Sequence, residues 1–350
     1  MGGGSARGIH QGAAIALTAD DSVIRVLMIT SVWPTPGQPR TSYFIRRQAE
    51  FLQAAGVDVD VFHFKAAKRP WNYLLAWLRV RGRMARKRYD VVHAQFGQSG
   101  LLTLPKRVPL VVTFRGDDLQ GMLDGNGKLT LPGRFLMLLS QGVARCADAT
   151  IVVSEHMKEF LHPSVPTHVI PSGLDFGLFH PIPHDEARRR LGLPSGRRLV
   201  LFVGDPQLPR KRYHLAREAV AILNRSFPAE LLLAWGTPQT DIPLYMNAAD
   251  ALVFTSNQEG SPNVVKEALA CNLPVVSVRV GDVPLRLKDV DGCELCEDER
   301  PETIAAALER VLRRNRRVAG GDAVRDLDER NLTQQVISVY RSVALPRQSS

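Results

Sequence analysis

The sequence predicts an α/β protein with two domains, each built on a parallel sheet doubly wound by helices, facing each other across a cleft. Three observations predict this class. The chain has 350 residues, enough for two domains with full cores. Short apolar runs alternate with amphipathic runs along the chain, which is typical of repeated strand–helix–strand units. A stretch rich in proline and charge, 181–194, separates two such series and reads as a connector.

The first series opens with an apolar strand at 23–30, and an amphipathic helix follows at 44–55 and ends at Gly56. The next strand, 57–62, completes a parallel β-α-β unit. Further strands are predicted at 91–93, 110–114, 149–153 and 168–170. We assign residues 23–182 to a first domain and residues 1–22, which are rich in glycine, to a disordered tail.

The second series opens with a strand at 198–203, followed by a helix at 213–224 and a strand at 231–234. Later elements are predicted as strands at 251–255, 274–278 and 293–295 and a helix at 301–314. Residues 183–330 are thus a second domain, and we expect the last helix, within 331–345, to pack back on the first.

Composition excludes several classes of protein. The hydrophobic fraction of 45% and charged fraction of 23% are those of a globular chain. No run approaches the roughly 18 apolar residues that span a bilayer, and the first residues lack the features of a signal peptide, so we expect a cytoplasmic protein. The pair Cys293 and Cys296 lacks a second ligand pair for zinc.

The net charge of +10 fits an anionic substrate, an anionic membrane surface or nucleic acid. Nucleic acid has only this charge in its favour, so we do not expect it as a partner. The segment 70–88 combines aromatic residues with a basic end. It fits a helix lying peripherally on the inner face of a membrane, or a domain helix with its aromatic face in the core.

One stretch, 259–270, carries the clearest chemistry. It follows the strand at 251–255, and Ser261 with Pro262 suits the N-cap and first position of a helix. A helix N-terminus binds phosphate through unpaired N–H groups. Glu259 and Glu267 flank that position, which suits a ligand with phosphates and hydroxyls such as a nucleotide sugar. An ordinary capped helix with a solvated acidic face is the alternative.

Two further groups of residues could complete such a site. Gly204 and the basic run 210–212 follow a strand and could neutralise a diphosphate leaving group, although a solvated basic loop is the alternative. Arg115 follows the strand at 110–114, and His93 and Gln95 end the neighbouring one. These side chains converge at one sheet edge, where a catalytic and a structural role are both open. The Asp-x-Asp pairs at 58–60 and 289–291 predict a solvated strand face and a turn rather than a metal site.

With these residues in place, the chain resembles a known family. Glu259 and Glu267, with seven residues between them, resemble the Glu-x7-Glu signature of the large retaining glycosyltransferase family typified by sucrose-phosphate synthases and bacterial envelope mannosyltransferases, the family 4-like enzymes. The phrases 259–278 and 280–284 are similar to the branch of teichuronic-acid-type polysaccharide glycosyltransferases. The segment 170–175 resembles the interdomain segment of the family.

The resemblance implies a GT-B fold, two Rossmann-like domains across a cleft, with a nucleotide-diphosphate sugar held mainly by the second domain and neither metal nor other cofactor. It implies that Glu259 contacts the donor sugar, Glu267 the ribose hydroxyls, and Lys211 a phosphate. The implied reaction retains anomeric configuration. The site residues expected are Glu259, Arg115 and Lys211 for catalysis and Gly204, Arg210, Gly260, Ser261, Pro262, Asn263 and Glu267 for donor binding.

Three residues depart from the family pattern: Asp205 in place of a basic residue, Arg115 in place of a histidine, and Ser172 in place of an asparagine. The function expected is transfer of a sugar to a cell-envelope or surface polysaccharide, or to a lipid-linked acceptor. The alternative kept open by the departures is a protein that binds a nucleotide sugar or polysaccharide without chemistry.

Overall fold

The computed structural model describes residues 23–34, 43–65, 70–124 and 127–344, and in them it confirms the predicted fold class. Two parallel sheets, each in its own domain, face each other across a cleft. The tail at 1–22 lies outside the described residues.

The first domain holds a six-stranded sheet in the order β2-β1-β3-β4-β5-β6. Its strands are Arg25–Thr30 (β1), Asp58–His63 (β2), Val91–Gln95 (β3), Leu110–Phe114 (β4), Ala149–Val152 (β5) and Thr167–Val169 (β6). Its helices are Tyr43–Ala54 (α1), Pro70–Arg86 (α2), Gly97–Gly100 (α3), Asp117–Gln120 (α4) and Leu131–Cys146 (α5). All pairings are parallel, as the β-α-β pattern predicts.

The second domain holds a five-stranded parallel sheet in the order β11-β10-β9-β7-β8. Its strands are Leu199–Val203 (β7), Glu230–Ala234 (β8), Ala251–Phe254 (β9), Val275–Ser277 (β10) and Glu294–Leu295 (β11). The helices from the connector onward are His184–Leu191 (α6), Tyr213–Leu223 (α7), Ile242–Ala248 (α8), Asn263–Ala270 (α9), Val283–Leu287 (α10), Pro301–Arg314 (α11), Gly320–Ala323 (α12) and Glu329–Val343 (α13).

Both sheets reverse their strand order at a corresponding place. In the first sheet the chain changes direction between β1 and β3, and in the second between β7 and β9. Loops that leave the carboxyl ends of strands at such a point splay apart and open a crevice. The loops after these four strands all contribute to the cleft between the domains. The strand order alone therefore predicts a crevice between the two domains at this position.

The segment 181–194, predicted as a connector, contains a helix that was not predicted. Residues 184–191 form α6, and its Arg188 is 2% exposed. The Arg188 guanidinium donates to Asp250 Oδ2 at 2.8 Å and to the carbonyl oxygens of Ala248, Pro194, Ser195 and Arg197. A buried charge is tolerated when it is paired and its donors are satisfied, so this arginine anchors the helix to the second domain.

The last helix, α13, contacts α1 of the first domain. Its Tyr340 is fully buried, and the Tyr340 hydroxyl is hydrogen-bonded to Nδ1 of His93 at 2.6 Å. Nε2 of His93 is hydrogen-bonded to Thr113 Oγ1 at 2.7 Å. Burial, together with nearby Arg115, lowers the pKa of His93 to about 3. His93 is thus a neutral core residue that ties α13 to the first sheet.

His93 makes stability depend on pH. An unfolded imidazole titrates near 6.5 and the folded one near 3, so between these values only the unfolded state takes up the proton. Above about pH 6.5 the titration of His93 does not affect the free energy of unfolding. Between about pH 6.5 and pH 3 it lowers the free energy of unfolding by about 1.4 kcal/mol per pH unit. Replacing His93 with glutamine is expected to reduce the loss of unfolding free energy between neutral and mildly acidic pH in urea titrations. Equal losses in variant and wild type would contradict this role.

Candidate active site

A cleft of about 580 Å³ lies between the carboxyl edges of the two sheets. Every predicted site residue except Gly204 lines it. The residues that line it are Ser31, Val32, Tyr43, Phe44, Arg47, Phe96, Gln98, Arg115, Gly116, Asp117, Asp118, Met122, Leu136, Val153 and Ser172 from the first-domain side and Val203, Arg210, Lys211, Gln239, Glu259, Gly260, Ser261, Pro262, Asn263, Val264 and Glu267 from the second.

The carboxylate of Glu259 is paired with two cations in the cleft. Lys211 Nζ donates to Glu259 Oε1 at 2.7 Å, and Arg210 donates to the same oxygen at 2.8 Å. Burial alone would raise the pKa of Glu259, but Lys211 and Arg210 outweigh that effect and the pKa lies below its usual value. The carboxylate is therefore ionised and is not poised to take up a proton.

The loop after β9 holds the two cations in register with Glu259. The side chain of Thr255 donates to the carbonyl oxygen of Lys211 at 2.9 Å, and the Asn257 N–H donates to that of Arg210 at 3.0 Å. Gly204 has φ of +144° and lies where an added Cβ would be 3.8 Å from the aliphatic carbons of Lys211. Gly204 thus shapes the loop that carries the cations rather than lining the cleft itself.

The start of α9 corrects the predicted cap. The helix begins at Asn263, Pro262 occupies the N-cap position, and no side chain caps the first turn. Ser261 donates to Asp282 Oδ2 at 2.7 Å instead of binding the helix N–H groups. Because no side chain caps the first turn, and Asn263 and Val264 of that turn line the cleft, the positive end of the helix dipole is available to an anion there.

Glu267 lies deeper, on the cleft side of α9. It is 6% exposed, and Gln239 donates to its Oε1 at 3.1 Å. Burial raises the pKa of Glu267, although Arg47 and Lys266 oppose the rise. A carboxylate and an amide side by side offer the acceptor and donor that a pair of vicinal hydroxyls requires.

Asp118 builds the first-domain wall of the cleft. It is 3% exposed and accepts hydrogen bonds from the backbone N–H groups of Gly97, Arg115 and Gly116 at 3.3, 3.1 and 3.0 Å. Burial raises the pKa of Asp118 even though these three bonds act to lower it. This carboxyl is occupied in shaping the loop after β4, and Asp117 beside it faces the cleft 3.8 Å from Arg210.

Arg115 is held firmly at the cleft wall. Its guanidinium donates to Gln95 at 2.9 Å, to Gln48 at 3.2 Å and to Ser172 Oγ at 2.6 Å, and it lies over the ring of Phe44. Burial lowers the pKa of Arg115 to about 10, so it remains protonated at neutral pH. Arg115 and Ser172, two of the three positions that depart from the family pattern, contact each other. The third, Asp205, accepts a hydrogen bond from the N–H of Gln207 at 2.9 Å and shapes the loop after β7.

The two domains touch around Gly260. A Cβ added to Gly260 would lie 2.5 Å from the carbonyl oxygen of Arg115, so only glycine permits this approach. Ser154 donates to the Gly260 carbonyl oxygen at 3.0 Å, and the fully buried Lys266 donates to the carbonyl oxygen of Ser172 at 2.9 Å. These contacts bring the second-domain side of the cleft and the first domain into one continuous site.

Three buried charges near the interdomain segment were not predicted. Arg47 donates to Glu329 Oε2 at 3.0 Å and to the Gly173 carbonyl oxygen, and both charged side chains are buried. Burial lowers the pKa of Lys266 to about 8. Arg47, Glu329 and Lys266 come from three separate parts of the chain, and only the apolar surroundings of Lys266 in 264–270 could have signalled its burial.

Other candidates lie elsewhere. His93 is buried and does not line the cleft, while its neighbour Gln95 positions Arg115. Asp58 is paired with Lys87 and Asp60 with Arg83. Asp291 is paired with Arg314, the last residue of α11, and with Arg316. Within the described ranges no group of three or more acidic, histidine or cysteine side chains could hold a metal ion. Cys293 and Cys296 are free thiols whose pKa values are raised to about 11 by burial.

Two family models match the chain, one for each domain. Residues 25–177 match the model "Glycosyltransferase Family 4", and residues 200–314 match "Glycosyl transferases group 1". The solved structure of a sucrose-phosphate synthase from Thermosynechococcus elongatus superimposes with a TM-score of 0.78 over 91% of this chain and 98% of that one, at 18% identity. The chain is a glycosyltransferase of the GT-B fold.

Relatives of this glycosyltransferase carry names from two activities. It is 26% identical over 328 residues to TuaC of Bacillus subtilis (strain 168), named as a teichuronic acid biosynthesis glycosyltransferase, covering 74% of this chain and 82% of that one. It is 25% identical to a D-inositol 3-phosphate glycosyltransferase of Nocardiopsis dassonvillei, covering 79% and 75%. The structure of HepE from Anabaena in complex with UDP-glucose superimposes with a TM-score of 0.67, covering 91% and 100%, at 17% identity.

Proposed function

We propose that this glycosyltransferase transfers a sugar, with retention of anomeric configuration and without a metal ion, from a nucleotide-diphosphate sugar to a cell-envelope or surface polysaccharide or a glycolipid. One observation carries the proposal. Lys211, Arg210, Glu259 and the uncapped first turn of α9 converge in the interdomain cleft, and Glu267 lies beside them.

The donor follows from the charges of these groups. Two cations and a helix N-terminus suit a diphosphate, because each stabilises negative charge where a leaving group would carry it. Glu267 with Gln239 suits the ribose hydroxyls, and Glu259 suits the hydroxyls of the sugar. The complex of HepE with UDP-glucose supports a donor of this class. Lys211 and Arg210 supply the charge that a divalent ion provides in metal-dependent transferases.

The proposed chemistry needs no separate protein base. The bond between the anomeric carbon and the phosphate oxygen breaks, and the acceptor oxygen attacks the same face of the sugar. The acceptor proton passes to an oxygen of the departing phosphate, and Lys211 and Arg210 stabilise the nucleoside diphosphate that leaves. The low pKa of Glu259 supports this course, because that carboxylate is a poor proton acceptor. Arg115, held by Gln95 and Ser172, is proposed to face the acceptor.

The acceptor class and location are also proposals. The name of TuaC supports an envelope polysaccharide as the acceptor. We place the protein in the cytoplasm, in peripheral contact with an anionic membrane, where it would meet a lipid-linked acceptor. No helix in the described ranges is both long enough and apolar enough to cross a bilayer.

The test is donor turnover by the purified full chain in the presence of a chelator. A panel of nucleotide-diphosphate sugars is incubated with the protein and EDTA, and the released sugar is followed by proton NMR at early times. We expect one donor to be hydrolysed slowly, with its anomeric configuration retained in the first-formed product. An inverted product, or activity that EDTA removes and a divalent ion restores, would contradict the proposal. Binding without turnover would indicate a non-catalytic sugar-binding protein.

A further inference from the structure

Exposed apolar side chains concentrate on two helices of the first domain. Of the twelve large apolar side chains that are exposed in the described ranges, seven lie on α2 or α5. Those on α2 are Trp71, Leu74, Leu75 and Leu78, and those on α5 are Leu131, Phe135 and Leu138. Single exposed apolar residues are common, but clustered ones mark an interaction surface.

Each set forms a stripe along its helix. On α5 the spacing of Leu131, Phe135 and Leu138 places them on one face, and they are 79%, 63% and 72% exposed. The opposite face, with Gly133, Ser140 and Val143, is buried. On α2 the same spacing joins Trp71, Leu75 and Leu78, whereas Ala76 and Val80 point into the core. The interpretation that the aromatic face of α2 is internal holds for Tyr73 and Trp77, which pack on that core, but not for Trp71.

The two stripes belong to one layer of the molecule. Ala76 and Val80 of α2 and Val143 and Ala144 of α5 pack in the same core cluster, on the same face of the first sheet. The turn Leu101–Thr103 contacts α2, and α3, which precedes this turn and contacts it, also contacts α5. Since the inner faces of α2 and α5 point at one sheet face, their outer faces point away from it together.

The charged residues of the two helices themselves are all basic. Neither α2 nor α5 contains an aspartate or glutamate. Arg79 and Arg86 on α2 and Arg134 on α5 are exposed on the helices that carry the apolar side chains. Arg107 is exposed in the loop that Arg81 of α2 contacts, whereas its neighbour Lys106 is paired with Asp148. Apolar side chains flanked by cations match the interface of an anionic bilayer, where the apolar groups insert and the cations meet the charged headgroups.

Helix α5 also borders the cleft, through a face next to the exposed stripe. Leu136, one residue from Phe135, lines the cleft, and so does Met122, which is itself 40% exposed. A surface that docks through α5 would therefore place the cleft opening beside the lipid headgroups. A lipid-linked acceptor could reach the site from there without leaving the bilayer.

We propose that α2 and α5 form a single docking surface for an anionic membrane, which we call the α2–α5 surface. It inserts the two apolar stripes among the headgroups and orients the cleft toward the bilayer. The membrane contact is independent of catalysis, whereas the delivery of a lipid-linked acceptor rests on the proposed function.

The test is cosedimentation of the purified full chain with vesicles of phosphatidylcholine, with and without phosphatidylglycerol. We expect binding that requires phosphatidylglycerol and weakens with salt. The double variants L75S/L78S on α2 and F135S/L138S on α5 are each expected to weaken binding at least about tenfold, from the apolar area no longer buried. The matched control is L285S, since Leu285 is 69% exposed but lies in the second domain.

Each outcome decides the proposal. Absence of binding to anionic vesicles, or binding unchanged in both double variants, overturns it. So does a wild type that is dimeric in sedimentation velocity and becomes monomeric in these variants without binding vesicles, because the surface would then bind a second copy. Because the substituted side chains are exposed, we expect the variants to have the Tm of the wild type. An unchanged Tm shows that the variants fold. Vesicle binding by a protein that turns over no donor would refute the proposed function and leave the docking surface standing.

Discussion

Replacing Lys211 with methionine is expected to lower kcat for donor turnover about 10³-fold, or about 4 kcal/mol in the barrier. The ammonium group lies 2.7 Å from Glu259 Oε1, inside the cleft. In the proposed reaction it meets negative charge that grows on the leaving diphosphate, so its loss is felt most in the transition state. Methionine keeps the length of the side chain without the charge. Steady-state kinetics with the donor found by screening measure the effect.

A second consequence of this substitution concerns Glu259. Lys211 and Arg210 offset the effect of burial on that carboxylate, so removing Lys211 should raise the pKa of Glu259 and shift the acidic limb of the pH–rate profile upward. The control is Lys158→Met, which removes an exposed lysine paired with Glu155 at the surface. A Lys211→Met protein with the turnover and pH profile of the Lys158→Met protein would exclude Lys211 from the site.

Replacing Glu267 with alanine is expected to lower kcat/KM for the donor about 10³-fold while the fold remains intact. Glu267 is proposed to accept hydrogen bonds from two ribose hydroxyls, and bonds to a charged acceptor are each worth about 1.5–3 kcal/mol. The loss should appear in KM as well as kcat, because the contact exists before and during transfer. Initial rates over a range of donor concentrations separate the two.

Stability and binding can be separated in this variant. Burial raises the pKa of Glu267, so its ionised form is not favoured by the folded state and its removal should leave thermal unfolding little changed. Glu302→Ala, at the exposed first turn of α11, is the matched control. A Glu267→Ala protein with full activity would refute the donor-site assignment.

The sheets could be predicted because their strands are continuous apolar runs bounded by turns, as in β1, β4 and β7. Helix α6 could not be predicted, because three prolines and many charges surround it and its anchor is a buried arginine. Arg188 meets Asp250, 62 residues away, and no local pattern announces that pair. Helix propensity depends on the residues of a segment alone. Whether a charged residue of that segment can be buried depends on partners that the rest of the fold brings to it.

The placement of Glu259 and Glu267 at one cleft could be predicted because the two residues are close in sequence and belong to one strand–loop–helix unit of β9 and α9. The prediction that Ser261 caps α9 was wrong, because the Ser261 hydroxyl donates a hydrogen bond to Asp282 instead. The first-domain wall needed the structure. Arg115 binds Ser172, 57 residues away, and Arg47 binds Glu329, 282 residues away, so neither pair follows from spacing.

Thermal unfolding tests directly whether the interdomain cleft binds a nucleotide-diphosphate sugar, because a ligand that binds the native state raises Tm. The full chain is scanned with EDTA against a panel that varies base and sugar, alongside Glu267→Ala. We expect at least one nucleotide-diphosphate sugar to raise the Tm of the wild type, and we expect this rise to be lost in Glu267→Ala. No rise with any donor, or an equal rise in both proteins, would contradict a donor site between Lys211 and Glu267.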